Sequence, residues 1–268
     1  MATQAVLFEK REHVAILILN RPERLNAIGE DLRNEVHAAV AEAHKDDDVR
    51  ALIITGAGRG FCSGADLSAV RGADGLPIGP TGQNGLLDDM DWVGRWAHLF
   101  FDFDKPLIAA VNGVAAGAGM SMALACDLRV GSEHARFKTV FIERNLSPDS
   151  GMSYFLPRIV GYARAADLVF TSRSVEAQEA YRLGLLDRLA PHETLMEEAV
   201  KLAHEISAWP PLALRTSKRV LQKNMTATLD DALRYEVVNL NFARKAKNDA
   251  RESFAAFVEK RRPTYTGT

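Results

Sequence analysis

Chemistry in this chain starts with glycines that let backbone come close to a ligand. In the run Ala110–Asp127 (A-V-N-G-V-A-A-G-A-G-M-S-M-A-L-A-C-D), Gly113, Gly117 and Gly119 follow the apolar segment Leu107–Val111. They precede Met120–Ala125, which lacks breakers and favours helix. The glycines therefore fall at a strand-to-helix crossing, where a missing Cβ permits close approach. The first turn of a helix offers unpaired N–H groups and the positive end of its dipole. Fixed donors of that kind hold an oxygen that becomes negative during a reaction. The stretch Phe61-Cys62-Ser63-Gly64-Ala65-Asp66-Leu67 is a second such place: a short extended piece, a glycine turn and a helix start. Two blander readings compete. Leu107–Cys126 carries no charge and contains Gly113-x-x-x-Gly117, which raises a membrane span; Asn112 and the breakers suit a buried turn better. A structural turn that packs helix on sheet is the other, because G-x-G without a third glycine is weak. Gly56–Gly60 is followed by Phe61 where a third glycine should stand, and no Walker lysine follows.

The elements that must position these loops read as α/β. Val14–Leu19 is an unbroken apolar run, Leu32, Val36, Ala39, Val40 and Ala43 recur at helical spacing, and Ala51–Thr55 is the next strand. Strand, helix, strand at this spacing predicts a βαβ unit and a parallel sheet. Asp46-Asp47-Asp48 closes the helix as a solvated turn. Leu87–Phe103 resumes helical spacing. After Gly151 the pattern is mostly helical: Ala163–Phe170, Val175–Leu183, His192–Trp209, Pro211–Lys223 and Leu229–Val258, with a strand expected at Leu185–Leu189. At 268 residues, with 47% apolar and 25% charged, the chain has ample core for one large domain or two small ones. A net charge of −2 gives no drive toward nucleic acid or anionic membrane. The two cysteines lack CxxC spacing and the seven histidines stand singly, so neither a disulfide nor a metal site is expected. The short apolar run Ala5–Phe8 meets charge at once, which predicts no signal peptide and a cytoplasmic protein.

Four stretches, in order and spacing, carry a resemblance: Asn20-Arg21-Pro22-Glu23-Arg24-Leu25-Asn26-Ala27, Gly60–Leu67, Lys105–Gly113 and Phe257-Val258-Glu259-Lys260-Arg261. Over nearly its full length the chain resembles the enoyl-CoA hydratase/isomerase (crotonase) superfamily. The resemblance implies a β-β-α spiral core over residues 1–205 and a helical trimerisation region over 206–268. It implies an acyl-CoA substrate with no separate cofactor, since coenzyme A travels on the substrate. It also implies a homotrimer or dimer of trimers, with no nucleic-acid or membrane partner. The backbone donors that hold the thioester oxygen in the family fall on Ala65 and Ala118. Coenzyme A contacts fall on Arg24, Leu25 and Ala27, and on Ser63, Ala65, Asp66 and Leu67. Lys260 is a further one, set against the plainer reading of a solvated tail charge.

The chain departs from the hydratases where they carry two glutamates; those positions match Ser121 and Phe141, and neither is a carboxylate. Asp149, in Ser147-Pro148-Asp149-Ser150-Gly151, remains. An Asp there is similar to the 1,2-epoxyphenylacetyl-CoA isomerases of phenylacetate catabolism, and dienoyl-CoA isomerases also carry an acid at this position. The competing reading makes Asp149 a turn residue that caps the next helix. Glu143 is the second-choice base: a strand through Phe141–Glu143 would turn both to one face. The favoured expectation is a double-bond isomerase in which one carboxylate moves one proton. The alternatives are a hydratase, an acyl-CoA hydrolase, or a CoA-ester- or RNA-binding member without turnover. Arg71–Gly85, rich in Gly and Pro, is expected to form a mobile lid over an uncharged acyl group, with Leu76, Ile78, Met90, Trp92 and Val93 as apolar cover.

Overall fold

The structure is a computed structural model that describes residues 4–70 and 82–268. Positions 71–81, and with them most of the expected lid including Leu76 and Ile78, lie outside the described residues. The strands among the described residues are β1 (Val6–Arg11), β2 (Val14–Leu19), β3 (Ala51–Gly56), β4 (Gly60–Cys62), β5 (Leu107–Val111), β6 (Val114–Ala116), β7 (Leu128–Ser132), β8 (Arg136–Lys138), β9 (Val175–Glu176) and β10 (Arg188–Ala190). The helices are α1 (Glu30–Lys45), α2 (Leu67–Val70), α3 (Gln83–Leu86), α4 (Asp91–Phe101), α5 (Ala118–Ala125), α6 (Met152–Val160), α7 (Tyr162–Thr171), α8 (Ala177–Leu183), α9 (Leu195–Ser207), α10 (Pro211–Asn224), α11 (Leu229–Ala243) and α12 (Lys247–Glu259).

Six strands form one sheet in the order β1-β2-β3-β5-β7-β10, and four form a second in the order β4-β6-β8-β9. The expected βαβ unit is β2–α1–β3, paired in parallel from Val14↔Ala51 to Leu19↔Gly56. The strands are unbroken apolar runs because both faces of the large sheet are covered. Period two splits each run. Val14, Ile16, Ala51, Ile53, Ile108 and Ala110 pack with Leu195, Ala199, Leu202 and Ala203 of α9. Ala15, Leu17, Leu19, Leu52, Ile54, Leu107 and Ala109 join the main core with Leu32, Val36 and Val40 of α1. Each fully buried Leu or Ile here contributes roughly 1.5–3 kcal/mol relative to exposure.

Several expectations shift. The strand-to-helix crossing contains an extra strand, β6, which pairs in parallel with β8 in the second sheet. β1, β7 and β8 have no counterpart among the expected elements. Leu229–Val258 is two helices, broken at Arg244–Ala246 where Ala246 turns inward. The expected boundary at 205/206 falls inside α9, whose Ile206 still packs against the sheet. Leu107–Cys126 is strand, strand and helix with α5 buried on every side. Among the described residues no helix is long and apolar enough to cross a membrane.

Charged side chains tie α10 to the sheet layers. Asp104 receives Arg215 at 2.9 Å and Arg219 at 2.5 Å from α10. Burial pushes the Asp104 carboxyl up, but the two guanidinium hydrogen bonds prevail and hold it below the usual carboxylate range. Lys218, buried, donates to the Lys105 carbonyl at 3.0 Å and to Asp127 at 2.7 Å.

Candidate active site

Two loops are forced together by the absence of side chains. Gly64 has φ +94°, and a Cβ on it would stand 2.8 Å from the Ala116 carbonyl oxygen and 3.5 Å from the Ala118 nitrogen. The Gly64 carbonyl accepts from Ile28 N–H at 2.8 Å, and Asp66 N–H donates to the Ile28 carbonyl at 3.1 Å. Both neighbours of Ala65 are thus bonded toward Ile28, which turns the Ala65 N–H the other way. Ala118 opens α5 after Gly117 at φ +49°, so its N–H has no partner within the helix. Among the described residues neither N–H donates to a backbone acceptor. Ala65 and Ala118 line one cavity of about 130 Å³ with Ser63, Leu67, Val140, Phe141, Arg144 and Asp149.

Asp149 faces that cavity from the turn before α6. Its Oδ1 is buried and has no hydrogen-bond partner among the described residues. Burial pushes its carboxyl above the ordinary range, and the charge of Asp91 adds to the rise. Its side chain does not cap α6: the N-cap is Gly151 and no side-chain cap bond forms there. The turn is built by backbone instead. The Asp149 carbonyl accepts from Met152 N–H at 2.9 Å and from the Ser121 hydroxyl at 3.3 Å. Ser121, fully buried on α5, thereby ties the helix that carries Ala118 to the turn that carries Asp149.

Glu143 is placed elsewhere. Phe141–Arg144 is not a strand; Ile142–Arg144 is a 3-10 turn, so Glu143 and buried Phe141 do not share a face. Glu143 is exposed, pairs with Lys138 at 2.7 Å and does not line the cavity. The Lys138 ammonium holds its carboxyl below the usual range. Phe141 is an apolar wall of the cavity. Arg144 and Val140, which the sequence did not single out, are lining residues too. No pattern signal marks either one, because the chain reversal at Val140 that brings them to the cavity is a matter of backbone angle.

The residues expected to meet coenzyme A fall on two strips zipped side by side. Ser63 N–H donates to the Leu25 carbonyl at 3.0 Å and its hydroxyl to the Arg24 carbonyl at 3.2 Å. Arg21 joins the Ala27 carbonyl at 2.8 Å to the Asp66 carboxylate at 3.0 Å. Leu67 lines the cavity beside them. Lys260 ends α12 in a left-handed conformation, exposed, and does not line the cavity. A larger apolar cavity of about 390 Å³ lies between α4 and α6, lined by Met90, Gly94, Ala97, His98, Phe101, Gly151, Tyr154 and Phe155. It reaches Gly151, two residues from Asp149. Met90 is in its wall, while Trp92 packs against the core and under Arg33. Cys62 and Cys126 are buried free thiols pushed up to about 12 by burial.

Residues 9–268 match the family model described as enoyl-CoA hydratase/isomerase. The chain belongs to the enoyl-CoA hydratase/isomerase family. Within that family it is 36% identical to the 1,2-epoxyphenylacetyl-CoA isomerase of Escherichia coli (strain K12), over 98% of each chain. It is 34% identical to the short-chain-enoyl-CoA hydratase of Clostridium acetobutylicum, over 98% of this chain and 97% of the relative. The crystal structure of enoyl-CoA hydratase from Bacillus anthracis superposes with a TM-score of 0.90 at 30% identity, covering 99% of this chain and 100% of that one. The two sheets and their helices are thus the crotonase fold.

Proposed function

We propose that this enzyme is an acyl-CoA double-bond isomerase in which Asp149 moves the proton and the Ala65 and Ala118 N–H groups hold the thioester oxygen. The observation that carries the reading is the half-buried carboxylate with an unpartnered Oδ1 in the same small cavity as the two donors. Removing a proton from the carbon chain of an enoyl thioester delocalises charge onto the carbonyl oxygen. Two fixed N–H donors stabilise that charge without reorganisation, each worth roughly 10²–10³ in rate. Asp149 takes the proton from one carbon and, as the neutral acid, returns it to another two bonds away. The double bond shifts, and no water is consumed. A carboxyl whose proton affinity is raised by burial is better matched to that exchange near neutral pH than an ordinary one. The apolar cavity between α4 and α6 suits an uncharged acyl group. Hydration has the hydratase relatives in its favour, but it needs activated water as well. The positions that resemble the hydratase glutamates hold Ser121, already committed to the Asp149 carbonyl, and the apolar Phe141.

The test uses 3-enoyl-CoA and crotonyl-CoA side by side. Isomerisation by the wild-type protein should outrun hydration, and Asp149→Asn should lower isomerisation by at least ~10²-fold while acyl-CoA binding survives. Rapid, saturable hydration of crotonyl-CoA, or near-normal isomerisation by D149N, would overturn the reading.

A further inference from the structure

Val140 stands in a backbone conformation that its side chain disfavours. Its φ is +58°, in the left-handed region, where a β-branched residue is a genuine outlier. The chain on both sides is pinned. Before it, Thr139 Oγ1 donates to the Leu168 carbonyl at 3.0 Å inside the core, and the Lys138 carbonyl accepts from Gly117 N–H at 3.1 Å. After it, the buried Phe141 accepts at its carbonyl from Arg144 and Leu146. Between those anchors Val140 must reverse the chain, and the surroundings keep it there. Its side chain then meets the turn that presents Ala118: Cγ2 lies 3.1 Å from where a Cβ on Gly117 would stand. Gly117 itself is at φ +49°, with no side chain of its own to limit its motion. Val140 also lines the cavity shared by Ala65, Ala118 and Asp149.

We propose that Val140 is a positioning residue, whose side chain stands beside Gly117 and closes the space into which that residue could swing, so that the Ala118 N–H stays aimed at the thioester oxygen. The inference rests on the isomerase reading for its consequence in rate, but its geometry concerns only the donor. A donor displaced by about 1 Å loses most of its effect on the transition state, with costs approaching 10²-fold. Glycine at this position adopts positive φ freely, so replacement removes the strain and the contact together.

The experiment compares wild type, Val140→Gly, Val140→Ala and the near-isosteric Val140→Thr. V140G is expected to lower kcat for isomerisation by at least ~10-fold with KM little changed, because the lost interaction is made in the transition state. V140T is expected to recover most of that loss, since its branched side chain restores the contact. The second readout is infrared spectroscopy of butyryl-CoA labelled with ¹³C at the thioester carbonyl. On the wild-type protein its C=O stretch should fall below the value in solution; on V140G it should move back toward that value while affinity is retained. If V140G does not fold, V140A is read in its place by both measurements. A wild-type kcat together with an unshifted carbonyl band in the folded variant would overturn the proposal. The carbonyl band is read without turnover, so it judges Val140 even if Asp149→Asn shows the isomerase reading to be wrong.

Discussion

At the scale of single residues, the behaviour of Asp149 is set by what surrounds it. Burial is the leading cause of its raised proton affinity, and its Oδ1 finds no donor among the described residues. The folded-state pKa therefore lies above the unfolded one. Between the two values the folded chain binds more protons, so stability falls as pH rises through that window. Below the unfolded pKa the cost is absent; above the folded pKa it is fully present. Asp149→Asn should accordingly raise the melting temperature at neutral pH, with the gain fading as the pH drops into the carboxylate range. Thermal melts across that pH series check the sign, and a D149N protein less stable than wild type at neutral pH would contradict it. If Asp149 is the base as proposed, the same raised pKa places the acid limb of the kcat/KM profile above the ordinary carboxylate range, since the base must be ionised. Glu143 shows how little sequence proximity settles. It lies six residues from Asp149, yet its pairing with Lys138 and its exposure give it the opposite shift.

At the scale of elements, two buried amides hold the segment that leads into the Ala65 turn. Asn26, fully buried, donates to the Ala57, Gly60 and Phe61 carbonyls at 3.0, 2.8 and 3.2 Å, and accepts from Arg21 N–H at 2.8 Å. Asn112 donates to the Gly58 and Gly60 carbonyls at 2.9 and 3.2 Å and accepts from Gly56 N–H at 3.2 Å. Together they supply hydrogen bonds to a segment, Gly56–Phe61, that lacks regular pairing along much of its length. Asn26→Ala would leave buried carbonyls unpaired, at about 1–3 kcal/mol for each group so stranded. We expect the substitution to lower stability by at least about 2 kcal/mol in urea unfolding, and to lower kcat because the Gly64-Ala65 turn follows directly. An effect under half that size would mean that water replaces the amide and that the loop is held by other contacts. Both asparagines stood in the stretches that carried the family resemblance, but their role as loop staples depends on carbonyls more than thirty residues away.

At the scale of the whole molecule, the helices after α9 leave apolar side chains uncovered. Leu229 is 74% exposed, Phe254 72% and Phe257 83%, and Leu233, Val237 and Leu240 add a stripe along α11. Contiguous apolar surface on a folded chain marks association. The resemblance to the crotonase superfamily supplies the number three. Light scattering should give the mass of a trimer or of a dimer of trimers; a stable monomer at working concentration would refute the expectation. Of these helices, α10 is joined to the rest of the chain by the Asp104–Arg215–Arg219 and Asp127–Lys218 ion pairs.

The sequence by itself determined the elements whose signal is local. Unbroken apolar runs gave β2, β3 and β5, 3.6-residue spacing gave α1 and α9, and glycines marked both loops that present Ala65 and Ala118. It also determined the family, because four ordered stretches are matched at once. Tertiary structure decided what depends on partners distant along the chain. The three-residue strands β4, β6 and β8 are too short to carry a period and exist because they pair with one another. Whether Phe141–Glu143 would be strand or turn was settled by the reversal at Val140. Burial around Asp149 and a lysine beside Glu143 give these two carboxyls opposite shifts, which their sequence neighbourhoods do not reveal. Ser121 reads as a vacant position in sequence and becomes a tie to the Asp149 turn only when α5 and α6 pack together. The physical reason is common to all of these. Propensity and spacing act over a few residues, whereas desolvation, charge pairing and hydrogen-bond satisfaction depend on which distant segments fill the space around a group.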